Sequence, residues 1–218
     1  MKDLSGQFMA LGPVAGVRAR AWATGDVEPV GRLLGEEWYP ELERRHALLT
    51  GIDQLLFNLS QASGAVVAER DDGTFLGVCL ANWGAPDAAD LATWQDMMAG
   101  LRTEAAGWGL VLRPEPSVET EGHGLLERVA RERGSDGVGE LELLFVSADA
   151  RGLGLGRRLM ETGLAYLREC GATRYRLVTD DACGWGMYEH LGLVRVGERV
   201  STSANDPGLR LYVYEGAL

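Results

Sequence analysis

The stretch Val17-Arg18-Ala19-Arg20-Ala21-Trp22 alternates apolar and basic positions with period two, the pattern of a half-buried strand. Thr24-Gly25-Asp26 then offers N-cap chemistry for a helix running to about residue 37, and Pro40 opens a second helical stretch to about residue 59. Residues 64–70 and 74–83 are two apolar runs around Asp71-Asp72-Gly73, which predicts an antiparallel hairpin. Helical patterns at 87–102 and 117–133 follow, separated by a Gly- and Pro-bearing stretch around Trp108 and Pro114. The last third repeats strand and helix more tightly. Strands are predicted at 140–147, 175–179, 194–200 and 209–214, a helix at 154–170, and a short helix at 185–190. This alternation indicates an α/β or α+β domain. The chain reads as one domain over 1–218 with a helical insertion or substrate-side lid at about 86–136.

Composition narrows the class. With 46% hydrophobic and 24% charged residues, 218 residues suffice for one well-packed soluble core. No apolar run reaches the eighteen residues a membrane helix needs. The apolar stretch at 8–17 is interrupted by Gly12, Pro13 and Gly16 and leads into Arg18 and Arg20, so it is not a secretory leader, and a cytoplasmic protein is expected. Cys79, Cys170 and Cys183 are odd in number and widely spaced, which suggests neither a disulfide framework nor a metal site. The net charge is −11 and Lys2 is the only lysine, so no nucleic-acid partner is expected.

Chemistry concentrates between residues 140 and 158. An apolar strand is followed, after a short connection, by Arg151-Gly152-Leu153-Gly154-Leu155-Gly156, which opens directly into an amphipathic helix. Glycines let a ligand approach the backbone, and the free N–H groups of a helix start point the same way. The combination is an anion cradle, with Arg151, Arg157 and Arg158 adding positive charge. A dinucleotide fingerprint would require a third glycine where Leu159 stands, although Asp180 at the next strand end mimics the ribose-binding acid of that fold. A P-loop would require a lysine beside the glycines, and there is none.

The segment resembles the cofactor motif of the GNAT N-acetyltransferase superfamily, L-x-V, a short connection, then [QR]-x-x-G-x-[GA]. It stands here as Leu144-Phe145-Val146 and Arg151-Gly152-Leu153-Gly154-Leu155-Gly156, with Ala148 in place of the usual proline. A second family element, Y-E-x-x-G-[FL], stands as Tyr188-Glu189-His190-Leu191-Gly192-Leu193. The resemblance is close over 139–214 and looser over 17–102.

The resemblance implies an α/β (α+β) GNAT fold, a mixed central sheet of six to seven strands splayed at the cofactor site and flanked by helices. It implies acetyl-CoA as cosubstrate, no metal, and acetyl transfer to a primary amine of a small molecule or peptide by direct attack in a ternary complex. The pantetheine arm would run along Leu144, Phe145 and Val146, and the amides of Gly152, Gly154, Gly156 and Arg157 would take the pyrophosphate. Asp181 occupies the place where relatives keep an asparagine against the cofactor arm. Tyr188 matches the tyrosine that protonates the departing thiolate. Glu140 or Glu142, on one face of their strand, or an ordered-water relay would deprotonate the amine. A catalytically inactive acyl-CoA-binding module of the same fold is the alternative. Homodimerisation through the last strands is common in the fold.

Other residues carry weaker readings. His190 is expected to face solvent or cap its turn. Cys183 has no histidine placed to activate it as an acyl-enzyme nucleophile. Trp38, Tyr39, Trp83, Trp94 and Trp108 could line a pocket or simply pack. Acidic Glu36, Glu37, Glu41, Glu43 and Asp53 hint at a cationic acceptor.

Overall fold

The computed structural model describes residues 1–203 and 206–218, which fall into two compact units, Met1–Arg113 with Glu142–Tyr166, and Pro114–Leu141 with Leu167–Leu218.

In the first unit, β1 (Lys2–Asp3) pairs in parallel with β3 (Gly64–Arg70), and β2 (Val17–Arg20) pairs antiparallel with it. β3 and β4 (Phe75–Asn82) form the hairpin expected around Asp71-Asp72-Gly73, with Val66 opposite Cys79 and Val67 opposite Val78. β4 neighbours β5 (Val138–Val146), whose second half belongs to this unit. Lys2 lies exposed on β1.

The helices α2 (Val27–Trp38) and α3 (Arg44–Gln61) pack nearly backbone to backbone, because Gly31 and Gly35 on one face Gly51 on the other. An ideal Cβ at Gly51 would lie 2.1 Å from the Gly31 carbonyl oxygen, and one at Gly35 would lie 2.3 Å from the Ala47 carbonyl oxygen. Val30, Leu34, Leu55 and Leu59 fill the space between these helices and Ala65, Val67, Val78, Leu80 and Phe145 of the strands. Asp53, fully buried on α3, is neutralised by Arg102 at 2.7 Å and Arg113 at 3.2 Å, which ties α4 (Ala88–Gly107) to α3.

The second unit holds the first half of β5 in parallel with β6 (Arg174–Asp180), then β8 (Arg210–Ala217) and β7 (Val194–Val200), both pairings of β8 being antiparallel. α5 (Val118–Arg133), opened by a Ser117–Thr120 capping box, covers one face with Leu125, Leu126 and Val129 against Leu211 and Val213. The same face holds Arg176, almost fully buried, with its guanidinium 2.7 Å from Glu215. Burial alone would raise the Glu215 carboxyl; Arg176, with Arg174 and Arg133 nearby, holds it below its ordinary value. Glu121 on α5 accepts hydrogen bonds from Arg199, Ser201 and Thr202 at the end of β7. Against the opposing effect of burial, those bonds bring its carboxyl down to about 2.

The pairing of β7 with β8 shifts register between Arg195 and Gly197. Arg195 is opposite Tyr214 and Glu198 is opposite Tyr212, so two residues an odd number apart share one face of the strand. Gly197 takes the other face, where an added Cβ would lie 2.7 Å from Val129 of α5.

The mixed α/β architecture matches expectation, with three differences. There are eight strands among the described residues rather than six to seven. β1 and the short α1 (Ser5–Ala10) were not anticipated. α3 begins at Arg44, not at Pro40, because the Glu43 side chain accepts the Arg45 N–H at 3.0 Å and the His46 N–H at 3.4 Å. No helix of the described residues is long and apolar enough to cross a membrane.

Candidate active site

β5 buries Gly139, Leu141, Leu143 and Phe145 on one face and leaves Glu140, Glu142, Leu144 and Val146 half-buried on the other. In the first unit the strand ends where Ser147 N–H donates to the Leu76 carbonyl at 2.9 Å. A single 3₁₀ turn, Ala148–Ala150, then leads into the glycine-rich turn. Gly152 and Gly154 have φ of +81° and +72°, values that favour glycine. No heavy atom lies within 4 Å of where a Cβ would stand on either, so both backbones face open space.

α6 (Leu155–Glu169) starts at once, its first intrahelical bond running from Arg158 N–H to the Gly154 carbonyl at 3.2 Å. The N–H groups of the turn before it have no helical acceptor and are free to take an anion. Gly156 lies against the end of β5, its would-be Cβ 3.5 Å from Val146 Cγ2. Leu155 and Leu159 are buried and hold the helix start to the strands, while Leu153 at the turn's tip is exposed. Gly77 of β4 allows this packing: a Cβ there would meet the Phe145 carbonyl oxygen at 2.7 Å and Leu159 at 2.8 Å.

Both arginines assigned to the cofactor are held by carboxylates. Glu37 of α2 pairs with the Arg151 guanidinium and accepts the Ala148 N–H at 3.0 Å, and Arg151's own N–H donates to the Ala148 carbonyl. Arg157 pairs with Glu161 one helical turn on, at 2.9 Å. Arg158 lies with its guanidinium 5.9 Å from the Phe8 ring. An anion at this turn would therefore meet mainly main-chain N–H groups, while Glu37 braces the connection before it.

The second unit holds the remaining candidates. Glu140 is the β5 partner of Arg176 across the parallel pairing, on the face that α5 covers. Tyr188 lies on α7 (Gly186–His190), its ring 5.6 Å from that of Tyr214, on the opposite face. Asp180 folds its carboxylate back to accept the Ala182 and Cys183 N–H groups, both at 2.9 Å, which makes it a turn residue. Asp181 accepts the Arg210 N–H at 3.0 Å. His190 is exposed, with Nδ1 2.6 Å from the Gly186 carbonyl oxygen in its own turn. Cys183 is exposed as a residue, yet its thiol lies against Asp180; desolvation first and that carboxylate second push it up to about 12. Such a thiol is a poor nucleophile at neutral pH.

Several expected groupings do not form in the first unit. Trp94 is core, Trp38 meets Phe145 edge to face, and Trp108 carries the Arg45 guanidinium at 4.2 Å, so these tryptophans do not line one pocket. Of the acidic cluster, Glu37, Glu43 and Asp53 are engaged by Arg151, the α3 N-terminus and the pair Arg102 and Arg113 respectively. Two groups of residues escape a reading of the sequence. Glu37 acts on a loop more than a hundred residues away. The cluster of Trp185, Glu189, Arg195, Tyr212 and Tyr214 around Tyr188 depends on the β7–β8 register. The sequence signals for the second group are Glu189 in the family element and the aromatic alternation of Tyr212 and Tyr214 in one strand.

Among the described residues, no group of three or more His, Cys, Asp or Glu is placed to hold a metal ion. Comparison with known proteins gives a consistent family. The chain is 39% identical over 72 residues to a mycothiol acetyltransferase of Geodermatophilus obscurus and 41% identical over 69 residues to one of Thermobispora bispora. These matches cover 32% and 30% of the chain, and the chain spans 23% of each relative. Among solved structures, a GCN5-related N-acetyltransferase from Kribbella flavida has TM-score 0.52 at 16% identity, covering 93% of this chain and 98% of that one. The ribosomal-protein-S18-alanine N-acetyltransferase from Escherichia coli has TM-score 0.52 at 13% identity, covering 92% and 93%. At these identities the structural matches speak for the fold alone. The model of the acetyltransferase (GNAT) family matches residues 27–193, more than half of the chain. The chain belongs to this family.

Proposed function

We propose that the protein transfers the acetyl group of acetyl-CoA to a primary amine by direct attack. The observation that carries this reading is the Gly152–Gly154 turn, two left-handed glycines facing open space at the start of α6. That geometry suits a diphosphate approached by main-chain N–H groups, with Gly152, Gly154, Gly156 and Arg157 as donors. Leu144, Phe145 and Val146 offer the strand edge for the pantetheine amides.

In this reading the amine nitrogen bonds to the acetyl carbon as the carbon–sulfur bond breaks. The ammonium proton must leave before attack, since only the free amine is nucleophilic. Glu140 or Glu142, or a water held by them, receives it. Tyr188 gives its phenolic proton to the departing thiolate. The raised Cys183 thiol speaks for direct transfer rather than an acyl-enzyme. The relatives named mycothiol acetyltransferase make a mycothiol-type amine the first acceptor to try.

The test is a thermal-shift titration with acetyl-CoA followed by an amine screen for released CoA thiol. A ligand at one hundred times its Kd should stabilise the fold by about 2.7 kcal/mol. Tyr188→Phe should then lower kcat about 10² to 10³-fold with the fold unchanged. Binding without turnover on any amine would leave an acyl-CoA-binding module, and no shift at millimolar acetyl-CoA would sink the cradle.

A further inference from the structure

α7 carries Tyr188 and is five residues long. A helix that short cannot hold itself, since isolated helices below about 12 residues are marginal in water. Its position must come from what grips it. Glu189, the residue after Tyr188, accepts from Arg195 at 2.8 Å and from the Tyr214 hydroxyl at 2.9 Å. Arg195 also donates to the Tyr214 hydroxyl through Nη2 at 3.0 Å and Nε at 3.2 Å. The guanidinium lies 4.0 Å over the Tyr212 ring and 5.0 Å from that of Trp185, which precedes α7. Tyr214 closes the arrangement by packing its ring 5.6 Å from that of Tyr188.

The β7 bulge makes this possible. It turns Arg195 and Glu198 to the side of Tyr212 and Tyr214, so the fork of Arg195 reaches one hydroxyl and one carboxylate at once. The Tyr214 phenol, held above its ordinary value chiefly by burial, stays neutral and can donate to Glu189.

We infer that Arg195 and Tyr214 form a clamp that sets Tyr188 in its working position, acting through Glu189 and the Tyr214 ring. Both are positioning residues, and the assignment rests on Tyr188 being the proton donor proposed above. The clamp restricts Tyr188 without touching substrate, so its loss should slow the step that needs the phenol and leave cofactor affinity alone.

The decisive variant is Tyr214→Phe, which keeps the ring and deletes only the shared hydroxyl. It should lower kcat about fivefold, the worth of one hydrogen bond, with KM for acetyl-CoA and the melting temperature nearly unchanged. In a Tyr188→Phe background the same substitution should have no further effect on kcat, because nothing is left to position. Arg195→Lys, which keeps the cation and loses the fork, should fall between wild type and Arg195→Met. If Tyr188→Phe is slow but Tyr214→Phe is silent, or equally damaging in both backgrounds, the clamp is wrong and the proton donor stands. A silent Tyr188→Phe overturns the proton donor and the clamp with it.

Discussion

Two groups of glycines in the first unit do opposite work. Gly31, Gly35 and Gly51 lie inside helices with ordinary φ, where a glycine is costly, and they are kept because the partner backbone occupies the space of a Cβ. Gly152 and Gly154 lie in a turn with positive φ, where a glycine is natural, and nothing occupies that space. The first group is read by what touches it, the second by what is kept away. A glycine that is costly and crowded serves the packing of the fold, whereas one at positive φ with open space leaves its backbone accessible.

Substitution by alanine can break this contrast or sharpen it. Gly51→Ala should have the largest effect, a loss of about 3 kcal/mol of stability in urea denaturation, since its Cβ would strike the Gly31 carbonyl oxygen and the Gly35 nitrogen. Acetyl-CoA affinity of the molecules that remain folded should be unchanged. A Gly51→Ala protein of native stability would mean the helix pair can separate freely.

Gly154→Ala should act the other way. A non-glycine residue at its φ of +72° costs about 1 kcal/mol. Titration calorimetry with acetyl-CoA should show affinity falling about tenfold, roughly 1.4 kcal/mol, as the Cβ enters the approach to the turn. Equal affinity would remove the turn from the cofactor site.

Gly156→Ala sharpens the comparison because the position mixes both kinds. Its φ is helical and a Cβ would make ordinary contact with Val146 at 3.5 Å, so the unliganded protein should gain up to about 1 kcal/mol from helix propensity. Acetyl-CoA binding should weaken only a fewfold. A loss of stability on this change would show that α6 and β5 meet more tightly than the would-be contact indicates.

These distinctions were partly legible in the sequence. The order of strand, glycine turn and amphipathic helix at 140–170 is local, so period and turn chemistry sufficed to place β5 and α6 within two residues. Whether Gly31 and Gly51 were packing devices or flaws could not be read, because each is explained by a partner about twenty residues away on another helix. β1 was missed because a two-residue strand has no period and exists only through its pairing with Gly64 and Ala65. Arg195 and Tyr214 were missed for a subtler reason. Their meeting depends on a one-residue bulge, which reverses the face assignment that simple alternation gives for the rest of β7. Tyr188 and the turn stand in legible motifs, but Glu37, which pairs with Arg151, and Arg195, which pairs with Glu189, carry no local mark.

The single lysine of β1 has a consequence for chemistry outside the active site. Among the described residues, the cations paired with the buried carboxylates Asp53, Glu69, Glu121 and Glu215 are guanidinium groups, which stay protonated at any physiological pH and do not accept acyl groups. If the proposed amine acetylation holds, the protein offers that reaction almost no target among its own side chains. Self-acylation, and equally amine-directed labelling or surface attachment, is confined on the side chains to Lys2, at the far edge strand of its sheet from β5.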